Sequence, residues 1–160
     1  MKSMLKWGLL AAVLTLFVGA ARPAQAVCPF AAANGCTAGK LKCVVGKKSC
    51  LLGCYKKAAG SGVLDSACLA KCRTKFDGAG IAAKSCFGKL DLKVGNTCLT
   101  TGDSAALEGK IDGFVQSAVA MLLNSNSVNT VNKCLAGKEN CLIGYNKCRL
   151  GVEGSAAKAG

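Results

Sequence analysis

Cys50-Leu51-Leu52-Gly53-Cys54 and Cys68-Leu69-Ala70-Lys71-Cys72, separated by a stretch that holds Gly60-Ser61-Gly62, decide how this chain folds. A four-residue spacing returns a side chain to the same face of an α-helix, and the glycines between the two motifs mark a turn. In an antiparallel helical hairpin, facing positions have residue numbers with a constant sum. Cys54 with Cys68 and Cys50 with Cys72 share the sum 122, and so does Cys36 with Cys86. The spacing therefore predicts three nested disulfides in one hairpin, with Asp65 or Ser66 capping its second helix. Cys43 has no match in this series, because the facing position is Ala79. Its partner is expected among the cysteines of the last helix.

Cys134, Cys141 and Cys148 fall seven apart there, as do Cys36, Cys43 and Cys50 near the start. The likeness extends to a template: Lys42-Cys43-x-x-Gly46-Lys47-x-x-Cys50-Leu51-x-Gly53 returns as Lys133-Cys134-x-x-Gly137-Lys138-x-x-Cys141-Leu142-x-Gly144. Bridged cysteines need Cα atoms ~4.4 to 6.8 Å apart, while helix axes usually pack ~8 to 10 Å apart. The glycines of the template are expected to permit that close approach. Between the two copies, Thr100-Thr101-Gly102-Asp103-Ser104 offers capping side chains. Leu107, Ile111, Phe114, Val115, Ala118, Met121 and Leu122 then recur at helical spacing. Asn124-Ser125-Asn126-Ser127 ends this amphipathic helix, and the cysteine helix is expected from about Val128 to Leu150. Cys98 would then meet Cys148, leaving Cys28, Cys43, Cys134 and Cys141 without assigned partners. The expected fold is all-α: a disulfide-stapled bundle of about four helices built on the antiparallel Cys-x3-Cys hairpin.

Lys2 and Lys6 precede an apolar run from Trp7 to Ala21, and Ala24-Gln25-Ala26 supplies a small-residue stop. Residues 1–26 read as a signal peptide cleaved near Ala26, since the run is shorter than the ~18 to 20 residues that span a bilayer. Residues 27–150 are read as one domain and residues 151–160 as a flexible tail. Val27 stands before Cys28, where a lipid-modified cysteine requires a small residue. All twelve cysteines lie beyond the signal, a density that fits the periplasm, cell surface or medium. The net charge of +13 falls to about +10 without the signal, so anionic surfaces are the expected partners.

The chain has no histidine. Ser-His-Asp and Cys-His catalysis are thereby excluded, as is a Cys-x-x-Cys-His haem site. Structural zinc sites favour two-residue gaps between paired cysteines, whereas the gaps here are three and six; no metal or other cofactor is expected. Redox-active pairs favour Cys-x-x-Cys at a helix start, and these pairs lie inside helices. The carboxylates are scattered; Asp103, Glu108 and Asp112 are the densest group and read as a solvated helix edge. Lysines such as Lys47, Lys48, Lys138 and Lys147 are dispersed, and no tryptophan remains after the signal to stack on bases. They read as a solvated basic face with no specific nucleic-acid partner. Tyr55 and Tyr145 are placed at a core edge. The expected function is that of an exported, cationic, non-enzymatic protein binding anionic envelope or extracellular material, either membrane surface or polysaccharide. The alternatives are a structural or assembly protein of the envelope and a thiol-disulfide redox protein.

The run from Cys50 to Cys72 resembles the stapled hairpins of plant α-hairpinins and of small mitochondrial chaperone subunits with twin Cys-x3-Cys motifs. That resemblance implies inner-to-inner and outer-to-outer pairing and carries no single function. Leu52-Gly53-Cys54-Tyr55-Lys56-Lys57-Ala58, Lys75-Phe76 and Cys98-Leu99-Thr100-Thr101-Gly102-Asp103-Ser104-Ala105-Ala106 resemble a group of secreted, lysine- and alanine-rich bacterial proteins of uncharacterised function. That group brings no catalytic residues. This chain has more cysteines, including Cys72 where alanine is common, which implies extra stapling.

Overall fold

Asn34 starts the first long helix, α1 (Gly35–Ser61), by accepting a hydrogen bond from the Thr37 amide through its side chain. Gly62, in the left-handed region at φ 76°, ends the helix by returning its N–H to Ala58. The computed structural model describes residues 33–93, 98–123, 127 and 129–159. The predicted signal peptide and Cys28 lie outside them. Asp65 caps α2 (Ser66–Asp77) by accepting from the Ala67 amide. Gly78, at φ 72°, closes that helix, and a side chain there would come within 2.4 Å of the Ser85 nitrogen. Two short 3-10 turns lead to α3 (Cys86–Asp91), capped by Ser85. Helices α4 (Ser104–Leu123) and α5 (Lys133–Ala159) complete an all-α bundle, with no strand among the described residues.

Helix α1 is the spine, packed against each of α2, α3, α4 and α5. The core gathers Leu51 and Leu52 of α1, Phe76, Phe87 and the α4 stripe Ile111, Val115 and Val119. Phe76 and Phe87 meet at 4.9 Å between ring centroids. Met121, expected on the apolar stripe of α4, is 78% exposed, and Val119 takes the inward place. Helices α1 and α5 run antiparallel and are tied at both ends by main-chain bonds, Asn34 N to Ala157 O and Asn132 N to Ala59 O.

Four disulfides form a fully nested set: Cys54–Cys68, Cys50–Cys72, Cys43–Cys86 and Cys36–Cys98. The inner two are those of the constant-sum series. The expected Cys36–Cys86 bond is replaced, because α2 does not run straight on to residue 86. It stops at Gly78, and the chain doubles back through Ala79, itself in the left-handed region at φ 53°. Cys86 therefore arrives beside Cys43, with Cα atoms 5.8 Å apart, and Cys98 takes Cys36. The expected Cys98–Cys148 bond is absent, as is any bond from Cys43 to α5. Cys134, Cys141 and Cys148 are all free and exposed, because α5 turns its cysteine face away from α1.

Three further expectations are corrected. Helix α5 begins at Lys133 rather than Val128, and residues 151–159 are its last turns rather than a frayed tail. Ala157 is fully buried and Gly154 lies against the α1 backbone at Ala38; small residues there allow close packing that larger apolar ones would prevent. A side chain on Gly46, Gly53, Gly137 or Gly144 would meet nothing, so these glycines make no room for the staples. Gly39 alone in the α1 cysteine series is crowded, with Leu90 methyls 2.9 and 3.0 Å from an added Cβ.

Candidate anion-binding groove

Lys40 and Lys47 stand seven residues apart on α1 and, against expectation for a basic residue on a solvated face, both are buried. Lys40 reaches Asp91 at 3.0 Å and Asp103 at 2.7 Å, donates to the Thr100 carbonyl at 2.6 Å and lies 5.3 Å from the Phe87 ring centre. Lys47 reaches Glu108 at 2.5 Å and Asp112 at 2.8 Å, and lies 5.0 Å from the Phe76 ring. Each ammonium is thus held between two carboxylates and an aromatic face. Burial pulls the Lys40 pKa down, but its hydrogen bonds to Asp103 and Asp91 outweigh this and raise it above the ordinary lysine value. Burial likewise pushes Asp103 up, and the bonds from Lys40 and Thr100 overcome it to hold that carboxyl below its usual range.

These pairs overturn the reading of Asp103, Glu108 and Asp112 as a solvated edge. They are the anchors that fix α4 on α1, and Asp103 is taken up by Lys40 and the Thr100 hydroxyl. The sequence signal was present in the seven-residue lysine spacing, four positions after Cys36 and Cys43. What it lacked was the tertiary contact that brings α4 alongside.

The remaining acids are also committed. Asp65 and Asp77 accept backbone amides at helix ends. Glu153 pairs with Arg149 at 3.3 Å. Glu139 is 1% exposed, neither of its oxygens accepts a hydrogen bond, and burial raises its pKa to about 7. Each of the eight carboxylates of the sequence therefore caps a helix end, pairs with a cation or is buried, and none of them lines the hollow between α1 and α5.

One place concentrates that cationic surplus. Between α1 and α5 runs a hollow of about 430 Å³ with Ala38, Val45, Gly46, Leu150, Gly151 and Gly154 on its floor and Lys42, Lys147 and Lys158 around it. Lys42 also borders a second hollow of about 270 Å³ shared with Lys75. Close by, Lys48 lies 4.2 Å from the Phe114 ring centre, and burial together with the Arg149 charge lowers its pKa. Tyr145, placed at a core edge by the sequence, is 58% exposed.

The cysteines do not form a metal site among the described residues. The groups whose sulfurs converge, Cys54 with Cys68 and Cys72 and Cys36 with Cys98 beside Asp91, have their sulfurs in disulfides and so offer no thiolate. No helix among the described residues is long and apolar enough to cross a membrane. Four disulfides suit an oxidising compartment. No family model, curated protein or solved structure matches the chain.

Proposed function

We propose that this is an exported, non-enzymatic protein that binds anionic material of the cell envelope, and that the α1–α5 groove is where it does so. The observation that carries the reading is a hollow that Lys42, Lys147 and Lys158 surround and no carboxylate lines, over an apolar floor. Such a rim and floor suit an acidic amphiphile: the lysines meet the charged head, and the small residues beneath accept its apolar portion. Acidic lipid headgroups fit both halves of the groove, whereas an acidic polysaccharide engages only the rim.

Flotation with phosphatidylglycerol vesicles tests this. Binding is expected at low ionic strength, weakening as salt shortens the screening length below about 10 Å, with little binding to phosphatidylcholine vesicles. Charge reversal at the rim, Lys42→Glu with Lys147→Glu and Lys158→Glu, is expected to lower retention at least tenfold while circular dichroism stays unchanged. Equal binding by this variant, or no binding to acidic vesicles at low salt, removes the reading.

A further inference from the structure

We propose that Cys134, Cys141 and Cys148 are one half of a disulfide ladder whose other half is α5 of a second copy of this chain, running antiparallel. The three thiols are unbonded and exposed. With a rise of 1.5 Å per residue, neighbours seven apart are separated by about 10.5 Å along the helix. Bonded cysteines need Cα atoms within about 4.4 to 6.8 Å. No two of the three can bond each other, so any disulfide among them joins two molecules.

The face that carries them is vacant. Gly137 and Gly144 each follow a cysteine by three positions, and a side chain on either of them would touch nothing. Cys141 opens onto an apolar groove of about 750 Å³ shared with Met121, Leu142 and Tyr145. Met121 and Tyr145 are 78% and 58% exposed.

Spacing identifies the occupant. Cys134 and Cys148 are equidistant from Cys141, so a two-fold axis through Cys141 sets Cys141 against Cys141 and each Cys134 against a Cys148. The same axis places Tyr145 of each copy opposite Gly137 of the other, a projecting ring facing bare backbone. Lys138 falls opposite Gly144. A parallel pairing would instead set Lys138 against Lys138. Only Lys133 and Arg149 remain as like charges at one level, at the two ends of the ladder. Each rung forms when two thiols lose two protons and two electrons. The acceptor is the disulfide of an oxidised thiol-disulfide exchange protein of the same compartment, which leaves as two thiols.

The test uses the full chain purified from an oxidising compartment. Electrophoresis without reductant is expected to show a covalent dimer that reductant separates. Trypsin cuts after Lys133, Lys138, Lys147 and Arg149, so each cysteine leaves in its own peptide. Mass spectrometry is expected to find Cys141–Cys141, which only two chains can make, together with Cys134–Cys148. Cys141→Ser keeps the dimer through the outer rungs, and the Cys134→Ser/Cys148→Ser pair keeps it through the centre. The triple serine variant runs as a monomer with unchanged circular dichroism. A native monomer with three alkylatable thiols overturns the proposal, as does a bond from Cys28 to any of them. Cys134–Cys134 with Cys148–Cys148 linkage overturns the antiparallel arrangement. None of these readouts depends on binding to acidic vesicles.

Discussion

Helices α1 and α5 carry the same twelve-residue template and treat it in opposite ways. In α1 the template cysteines Cys43 and Cys50 are bonded to Cys86 and Cys72, and Lys47 is buried between two carboxylates. In α5 the equivalents Cys134, Cys141 and Lys138 all face outward. The local sequence is nearly constant, so the difference lies in the surroundings: α1 has helices packed around it, whereas α5 leans chiefly on α1. A heptad of cysteines specifies a face that can be stapled. Whether it is stapled depends on what the rest of the chain brings to that face.

The contrast is broken most severely at the disulfides. Replacing the α1 pair, Cys43→Ser with Cys86→Ser, is expected to cost about 3 to 4 kcal/mol in urea unfolding, through the freed unfolded chain and the buried sulfurs lost. Cys134→Ser, its template counterpart, is expected to change the unfolding of the reduced-α5 monomer by less than about 0.5 kcal/mol. Comparable losses in both would mean that the two faces are not differently used.

The lysines give the next largest difference. Lys47→Met removes the cation between Glu108 and Asp112 in a partly buried site, leaving Asp112 only the Arg73 guanidinium 3.6 Å away, and is expected to cost roughly 2 to 4 kcal/mol. Lys138→Met on the exposed counterpart is expected to stay within about 0.5 kcal/mol. The same urea titration measures both.

Glu139 offers the smallest and most specific test, occupying the template position that α1 fills with Lys48. Its folded pKa of about 7 lies above the reference value of 4.5. Between those values the folded protein holds a proton that the unfolded chain releases, so stability falls as pH rises through the window. Glu139→Gln is therefore expected to be more stable than the native chain at pH 8 by roughly 1 to 2 kcal/mol. At pH 4 the two are expected to be equal. A difference that does not change with pH would assign the effect to packing instead.

The hairpin was readable because its information is local: two Cys-x3-Cys motifs, a glycine turn and a cap at Asp65. The constant-sum rule failed where its premise did, at Gly78, since a left-handed residue followed by two 3-10 turns ends the straight helix that the rule assumes. A weaker rule, that the cysteines of α1 are matched in reverse order by those that follow, survives the whole set. The lysine–carboxylate anchors were invisible for another reason: Glu108 and Asp112 find their cation on α1, about sixty residues earlier. The packed end of α5 was missed because apolar periodicity detects large side chains, and Gly154 and Ala157 pack by being small.

On the proposed export of this chain, the order of bonding has a consequence. A polypeptide crossing a membrane amino terminus first presents Cys36, Cys43, Cys50 and Cys54 before any of their mates emerge. Cys68, Cys72, Cys86 and Cys98 then appear in the sequence that claims those waiting thiols last in, first out. Each closure shortens the slack left for the following one, which keeps its entropic cost low. Correct oxidation can thus advance with translocation, without the reshuffling that interleaved connectivities demand.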